Sequence, residues 1–134
     1  LVSSVDLLPT VLEAIGQPTA MTELPGRSLW KAAQGKAILE DQPVFGEIYP
    51  GDATALRQPA KDIAYRWVRS GPLKLIVPHA HDRKKAWGDY LTEPALYDVI
   101  KDPVEKNNLA TQQPEEAARL HKLLGGWWDP SAKP

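Results

Sequence analysis

The sequence predicts an α+β fold, in which a small antiparallel sheet of about four strands packs against a C-terminal helix. Apolar and polar residues alternate from Ile63 to Arg69, and a second alternating run begins a few residues later at Leu73. Two strands joined so closely form an antiparallel hairpin. The predicted strands follow one another without intervening helices, and strong helical periodicity returns only from Pro114 to Leu124.

The first predicted element is a helix that precedes the sheet and runs from Asp6 to Gly16. Asp6 can accept hydrogen bonds from the free amides of the first turn, and Pro9 falls where its missing N–H costs nothing. Gly16 can end the helix in the left-handed conformation. One side is apolar, because four residues repeat at helical spacing: Leu8, Val11, Leu12 and Ile15. A helix this short needs a partner surface.

A short helix and the first strand follow. Leu29 to Ala33 predicts a helical segment, with Ser28 as its cap. Val44 to Tyr49 predicts a strand. Pro50 to Asp62 contains Gly, Pro and mixed polar residues, which predict a long loop before the hairpin.

The second half of the chain completes the sheet and adds the covering helix. Gly71-Pro72 marks the turn of the hairpin, whose second strand is predicted from Leu73 to Val77. Leu96 to Ile100 predicts a further strand. Pro114 suits the first position of the last helix, and Gly125-Gly126 predicts its end. The buried side of this helix is predicted to consist of Ala117, Leu120, Leu123 and Leu124.

Composition narrows the classes of function. The formal net charge of −1 gives no field that would steer the chain to nucleic acid or to an anionic membrane. No apolar run approaches the ~20 residues of a membrane span. The chain has no cysteine, which excludes disulfides, thiolate metal sites and a cysteine nucleophile within it. We therefore predict neither a nucleic-acid partner nor a membrane partner.

The residues alone define no catalytic set. No serine lies in a G-x-S-x-G context. His79 and His81 would project to one side of an extended chain and could supply two metal ligands, with Asp82 as a third ligand or an orienting group. The alternatives are a polar loop without metal and polar contacts with a ligand at the edge of a neighbouring domain. Trp87, in a basic loop, could stack against a ring or a sugar.

Four motifs occur in the order in which they stand in sulfatases of the alkaline-phosphatase superfamily. Val5 to Leu12 with Gly16 resembles their VDLLPTLL…AG helix, and Gly26 to Leu29 is similar to their GRSL segment. Val68 to Ile76 resembles their VRTGRYKLI hairpin. Leu96 to Ala110 resembles LYDLxxDPxExxNLA. The ordered set covers most of the chain, which therefore resembles the C-terminal region of an arylsulfatase-like protein.

The resemblance implies two parts. Residues 1–42 would be the terminal helical segment of the catalytic α/β domain with a linker, so that the N-terminal helix is left over from the larger domain. Residues 43–134 would be the C-terminal sulfatase subdomain, an antiparallel sheet with its helix. The chain begins at Leu1 rather than at a methionine, and we interpret it as a piece cut from a longer protein.

The resemblance also implies where the chemistry lies. The parent enzyme would hydrolyse sulfate esters with a formylglycine nucleophile, made from Cys or Ser in a C/S-x-P-x-R motif, and with a calcium ion. That motif, the cation ligands and a late catalytic lysine all precede the VDLLPT helix in such enzymes. No residue of this chain matches a catalytic or metal-ligating position, so we expect the isolated chain to be inactive and to carry no cofactor.

Substrate-pocket lining is the role that the resemblance leaves to this chain, because loops of the small subdomain approach the active-site cleft. The long loop after the hairpin carries four candidates, His79, His81, Arg83 and Trp87. The expected partner is the missing N-terminal sulfatase domain. Without it, the apolar side of the first helix could drive self-association. A bacterial sulfatase would be periplasmic or extracellular.

Two other functions stay open at this point. The C-terminal motifs do not separate sulfatases from phosphonate monoester or phosphodiester hydrolases of the same superfamily. A self-standing binding module is the alternative from another class, and Trp87 with the long loops favours it. The motifs also leave open whether the substrate is an aryl, choline or glycan sulfate.

Overall fold

The computed structural model describes residues 1–17, 23–52, 54–79 and 91–130. The chain divides into two compact units, Leu1–Val44 and Phe45–Pro134. The first unit is helical, and the second contains the sheet and the C-terminal helix. Within the described ranges, no helix combines the length and the apolar character needed to cross a membrane.

The first unit contains two short α-helices, α1 at Leu7–Ala14 and α2 at Trp30–Ala33. A 3-10 turn at Ser4–Asp6 leads into α1. Gly16, at φ +77°, ends this helical segment as predicted, and its amide donates to the Glu13 carbonyl. The predicted cap of α2 is wrong by one residue, because the N-cap is Leu29 and makes no side-chain cap hydrogen bond. Ser28 Oγ, one residue earlier, accepts a hydrogen bond of 3.1 Å from the Trp30 amide.

The second unit contains a four-stranded antiparallel sheet whose strands lie side by side in chain order. The strands are β1 at Val44–Ile48, β2 at Tyr65–Ser70, β3 at Leu73–Pro78 and β4 at Ala95–Asp98. β2 and β3 form the predicted hairpin, with Ser70 opposite Leu73. β3 also pairs with β4, where Leu75 lies opposite Leu96. The predicted α+β class and the predicted sheet are therefore confirmed.

The C-terminal helix α3, Pro114–Trp127, covers one face of the sheet. It buries Leu120 and Leu124, and Ala117 and Leu123 pack beside them as predicted. The sheet side of this core consists of Val68, Leu75, Val77 and Leu96. Six buried side chains thus join three strands to one helix, which is why the apolar alternation of the hairpin and the periodicity of the helix both appear in the sequence.

The predicted end of this helix is wrong. α3 continues through Gly125-Gly126 to Trp127, and the Trp128 amide still donates to the Leu124 carbonyl at 3.1 Å. The Trp127 ring stacks on the Phe45 ring of β1, with centroids 5.1 Å apart and planes 11° apart. This contact with a distant strand favours the helical conformation at two glycines that would end an isolated helix.

The opposite face of the sheet has its own apolar cluster, which contains Ala64, Tyr65, Ile76, Ala95 and Tyr97. The Trp67 ring packs against this cluster and lies directly over Gly46 of β1. A Cβ atom at Gly46 would approach the indole ring to 2.5 Å, so the ring occupies the space that a side chain would need. Both faces of the small sheet therefore carry apolar side chains.

Candidate functional site

The predicted pocket-lining loop begins at His79, immediately after β3. His79 is half-buried, and its backbone amide donates to the Ala64 carbonyl at 2.8 Å, which continues the pairing of the hairpin by one residue. The other three candidates, His81, Arg83 and Trp87, lie outside the described residues. The structure therefore locates one of the four predicted residues, at the end of a strand next to the start of β2.

Asp6 links the first two motifs of the sequence. Its carboxylate is buried, with the residue only 5% exposed, and it accepts two backbone hydrogen bonds. Oδ2 accepts from the Ser3 amide at 2.8 Å, and Oδ1 accepts from the Arg27 amide at 2.9 Å. Asp6 is the N-cap of α1 as predicted, but its side chain accepts no hydrogen bond from the first-turn amides of that helix. The carboxylate binds one residue before the helix and one residue from the second motif.

The approach of the second motif to the first depends on Gly26. This residue has φ +92°, and a Cβ atom there would lie 2.5 Å from the Val5 carbonyl oxygen. Thr10 makes the next link, because its Oγ1 donates to the Asp6 carbonyl at 2.6 Å and accepts from the Leu29 amide at 2.9 Å. The two motifs thus act together as the internal framework of the first unit.

The Arg27 side chain extends this framework to the ends of the unit. Nη1 donates to the Glu40 carbonyl at 2.8 Å, and Nη2 donates to the Leu1 carbonyl at 3.2 Å. An open pocket of about 470 Å³ lies beside these groups and is lined in part by Glu13, Ser28 and Lys31. Ser28 Oγ in this pocket accepts a hydrogen bond from the Trp30 amide.

Three of the four residues predicted for the apolar side of α1 are exposed, and the fourth, Leu12, is half-buried. Leu7 is 63% exposed, Leu8 and Val11 are each 53% exposed, and Ile15 is 65% exposed. Pro9, on the other side, is fully buried. Hydrogen bonds of Asp6 and Thr10 therefore anchor the inner side of the helix, which faces the second motif. The outer side presents to solvent apolar residues that a helix of a soluble domain normally buries.

The fourth motif folds the chain after β4 through carboxylates that accept backbone amides. Asp98 Oδ1 accepts from the Lys101 amide at 3.0 Å and from the Ile100 amide at 3.2 Å. The Lys101 amide is the main reason that the pKa of Asp98 lies below its ordinary value, and the Ile100 amide and the Lys101 charge act in the same direction. Asp102 Oδ2 accepts from the Asn107 amide at 2.7 Å.

The same motif is tied to the strands by Asn108 and Glu105. Asn108 Oδ1 accepts the amide of Leu96 on β4 at 3.0 Å. Glu105, at φ +55°, accepts from Lys74 Nζ at 2.8 Å, and this nitrogen lies 5.6 Å from the centroid of the Trp67 ring. The motif therefore positions β4 and the hairpin, and its polar residues are engaged in folding the chain.

The described residues contain no cluster of metal-binding side chains. Among residues 1–17, 23–52, 54–79 and 91–130, no three His, Asp or Glu side chains gather in a way that could hold a metal ion. The calcium ion and the formylglycine that the resemblance implies stay predictions about the parent protein. We assign no chemical step to them.

Comparison with known proteins gives a match in structure only. No protein-family model matches the chain, and no curated protein matches it in sequence. Among solved structures, the chain is similar to yidJ from Bacteroides fragilis, which is named as a candidate sulfatase. The TM-score is 0.68 and the identity is 21%, over 96% of this chain and 25% of that chain.

Two structures from Bacteroides thetaiotaomicron are also similar, each with a TM-score of 0.61. Both structures come from work on the metabolism of multiple glycosaminoglycans by this bacterium, and their labels end in 6S-sulf and 4S-sulf. The identities are 22% and 20%, over 91% and 94% of this chain and 24% and 26% of theirs. The chain therefore has the fold of a sulfatase region, and it spans about a quarter of the length of these structures.

Proposed function

We propose that the chain is the C-terminal region of a sulfatase, and that its parent enzyme hydrolyses sulfate esters. The observation that carries the proposal is the coverage of the structural match, which includes 96% of this chain and only 25% of the B. fragilis protein. The ordered sequence motifs support the same assignment, because the residues in them build the two units. The region contributes structural support, and the loop after β3 contributes to the lining of the substrate pocket.

The partner of this region is the N-terminal α/β domain of the parent. The outward apolar side of α1 supports this proposal, because Leu7, Leu8, Val11 and Ile15 are exposed while polar bonds hold the inner side of the helix. An apolar surface of that domain would cover these residues. When the domain is absent, the same surface promotes self-association of the isolated chain.

The nucleophile and the cation belong to the N-terminal part of the parent. Stabilisation of the charge that develops during sulfate ester hydrolysis needs both groups, so the isolated chain has no turnover in this proposal. The parent carries a formylglycine and calcium, and it acts in the periplasm or outside the cell.

A comparison of the isolated chain with the full-length parent tests the assignment. Both are incubated with an aryl sulfate, a sulfated glycan and a phosphonate monoester. We expect the parent to hydrolyse a sulfate ester and the isolated chain to hydrolyse none of the three. Preference of the parent for the phosphonate would favour the related hydrolase class. Turnover by the isolated chain would show that the catalytic groups have been assigned to the wrong part.

The proposed pocket-lining role is tested by His81→Ala in the full-length parent. We expect a changed KM or a changed preference among sulfated substrates, with the bound metal content unchanged, because the residue would contact substrate and not the cation. His121→Ala is the matched control, since this histidine is exposed on α3. Unchanged kinetics across several sulfated substrates would remove His81 from the pocket.

A further inference from the structure

The last turn of α3 is poorly supported by its own sequence. Gly125 and Gly126 occupy successive helical positions, and a Cβ atom at either would find nothing within 4 Å. Each glycine disfavours the helical state about fivefold relative to alanine, because glycine loses more backbone freedom on folding. The described side chains therefore give no packing reason for glycine here, and the turn depends on contacts beyond the helix.

Two contacts from the strands hold this turn. The Trp127 ring stacks on Phe45 of β1, and the Trp128 ring meets the Trp127 ring edge-on at 6.2 Å. Arg66 of β2 donates from Nη1 to the Trp128 carbonyl oxygen. The contacts reach two different strands from adjacent residues, so movement of this segment breaks both.

Arg66 is a buried cation, with the residue 8% exposed. Burial lowers its pKa, and the charge of Asp129 opposes that effect. Arg66 Nε is buried and has no hydrogen-bond partner among the described residues. The carbonyl of Trp128 accepts a hydrogen bond from this cation, and the charge of Asp129 favours its charged form, so the closed segment supplies groups that compensate a buried charge.

We propose that residues 125–129 form a latch, which opens and closes on β1 and β2 as one unit while the rest of α3 stays packed on the sheet. The core residues Leu120 and Leu124 are each at most 1% exposed, so they anchor the helix up to the start of the latch. Trp127 is 42% exposed, so its stacking on Phe45 can open without disrupting that core.

Opening of the latch has a specific consequence for β1. Among the strands of the described residues, this one stands first in the sheet order and neighbours β2 alone, so it forms an edge of the described sheet. Phe45 is its second residue, and it loses its stacking partner when the latch opens. An edge strand that is held less firmly exposes backbone groups that can pair with another chain. The latch therefore protects this edge of the sheet, whatever reaction the parent enzyme performs.

Hydrogen exchange read out by mass spectrometry on the whole chain tests the latch. Gly126→Ala should slow exchange of the amides in residues 125–128 about fivefold, because alanine favours the closed helical turn. Arg66→Met should speed exchange of the same amides by about tenfold or more, since a hydrogen bond from a charged donor is lost. Arg66→Lys keeps the charge and a hydrogen-bond donor. The exchange rate of these amides in Arg66→Lys should therefore lie between the rates in Arg66→Met and in the unsubstituted chain.

The location of the changes decides between a latch and an ordinary part of the core. If residues 125–129 form a latch, the changes in exchange rate extend to the amides of β1. The amides of β3 and β4 then exchange at the same rate as in the unsubstituted chain. The proposal would be overturned if Arg66→Met increased the exchange rates in β3 and β4 as much as in residues 125–128. It would also be overturned if Gly126→Ala left the exchange rates of residues 125–128 unchanged. Trp127→Leu removes the stacking without touching Arg66, so it tests the latch even if Arg66→Met does not fold.

Discussion

Substitution of Asp6 by alanine is expected to destabilise the first unit without affecting the second. The carboxylate accepts backbone hydrogen bonds from Ser3 and Arg27, which lie 3 and 21 positions away in the sequence. Alanine leaves both amides without this partner in a site where Asp6 itself is only 5% exposed. The substitution therefore removes a link between the helix and the segment that packs beneath it.

The magnitude follows from the two lost bonds. A hydrogen bond to a charged group contributes about 1.5–3 kcal/mol to stability. Both bonds of Asp6 are only partly buried, so water can reach the amides after substitution. We therefore take the lower end for each bond and expect a loss of about 3 kcal/mol in the free energy of unfolding of the first unit.

Differential scanning calorimetry and urea titration of the whole chain measure this loss. Glu40→Ala is the matched control, because it removes an exposed carboxylate from the same unit and keeps the backbone carbonyl that Arg27 uses. The free energy of unfolding of the control should stay within about 0.5 kcal/mol of that of the unsubstituted chain. If Asp6→Ala is as stable as Glu40→Ala, the carboxylate does not hold the two motifs together and our account of the first unit is wrong.

Three further predictions follow from single contacts. Gly46→Ala should lower the free energy of unfolding of the second unit by about 1–3 kcal/mol, because the added Cβ meets the Trp67 ring, whereas Gly51→Ala enters open space and should be neutral in the same urea titration. Asp98→Asn should be less stable than the unsubstituted chain at neutral pH. Because the pKa of Asp98 is lowered, its contribution to stability is complete above its ordinary pKa and is lost as pH falls through the lowered value. The stabilities of Asp98→Asn and of the unsubstituted chain should therefore converge below about pH 4. Parallel pH profiles of the two proteins would contradict this assignment. Leu8→Glu should reduce self-association of the isolated chain in sedimentation experiments and leave its melting temperature nearly unchanged, because the side chain is 53% exposed; a variant that associates as strongly as the parent would exclude this surface.

The elements with dense local signals could be predicted from the sequence. The β2–β3 hairpin is encoded by two alternating runs and a tight turn, and α3 by a periodic apolar side that the structure buries at Leu120 and Leu124. The C-terminal motif also folds through short-range contacts, because Asn108 and Asp98 accept hydrogen bonds from backbone amides of their own segment. Each of these features depends on residues close together in the chain.

The errors of sequence interpretation have a common cause in distant contacts. Asp6 has the sequence position of a helix cap, yet its partner Arg27 belongs to another motif. Gly125-Gly126 has the composition of a helix end, yet Phe45 lies across the second unit and favours one more turn. No local pattern contains the identity of the distant residue, so neither outcome could be derived before the fold was known.

The structure locates only one residue of the candidate site that the sequence predicted. The sequence alone indicated that no catalytic set is present and that the loop after β3 is the candidate for pocket lining. His79 is located at the end of β3, where its amide continues the hairpin. His81, Arg83 and Trp87 lie outside the described residues, so their role in the pocket stays a prediction.

The two-sided character of α1 affects how variants of this protein should be selected. Its inner residues, such as Thr10, determine whether the isolated chain folds, and its outer residues, such as Leu8 and Val11, do not. A screen that ranks isolated variants by melting temperature or solubility would therefore accept polar residues on the outer side, or even enrich them. In the assembly proposed above, the same variants would weaken the contact with the N-terminal domain, so a library for this helix has to be screened in the full-length parent.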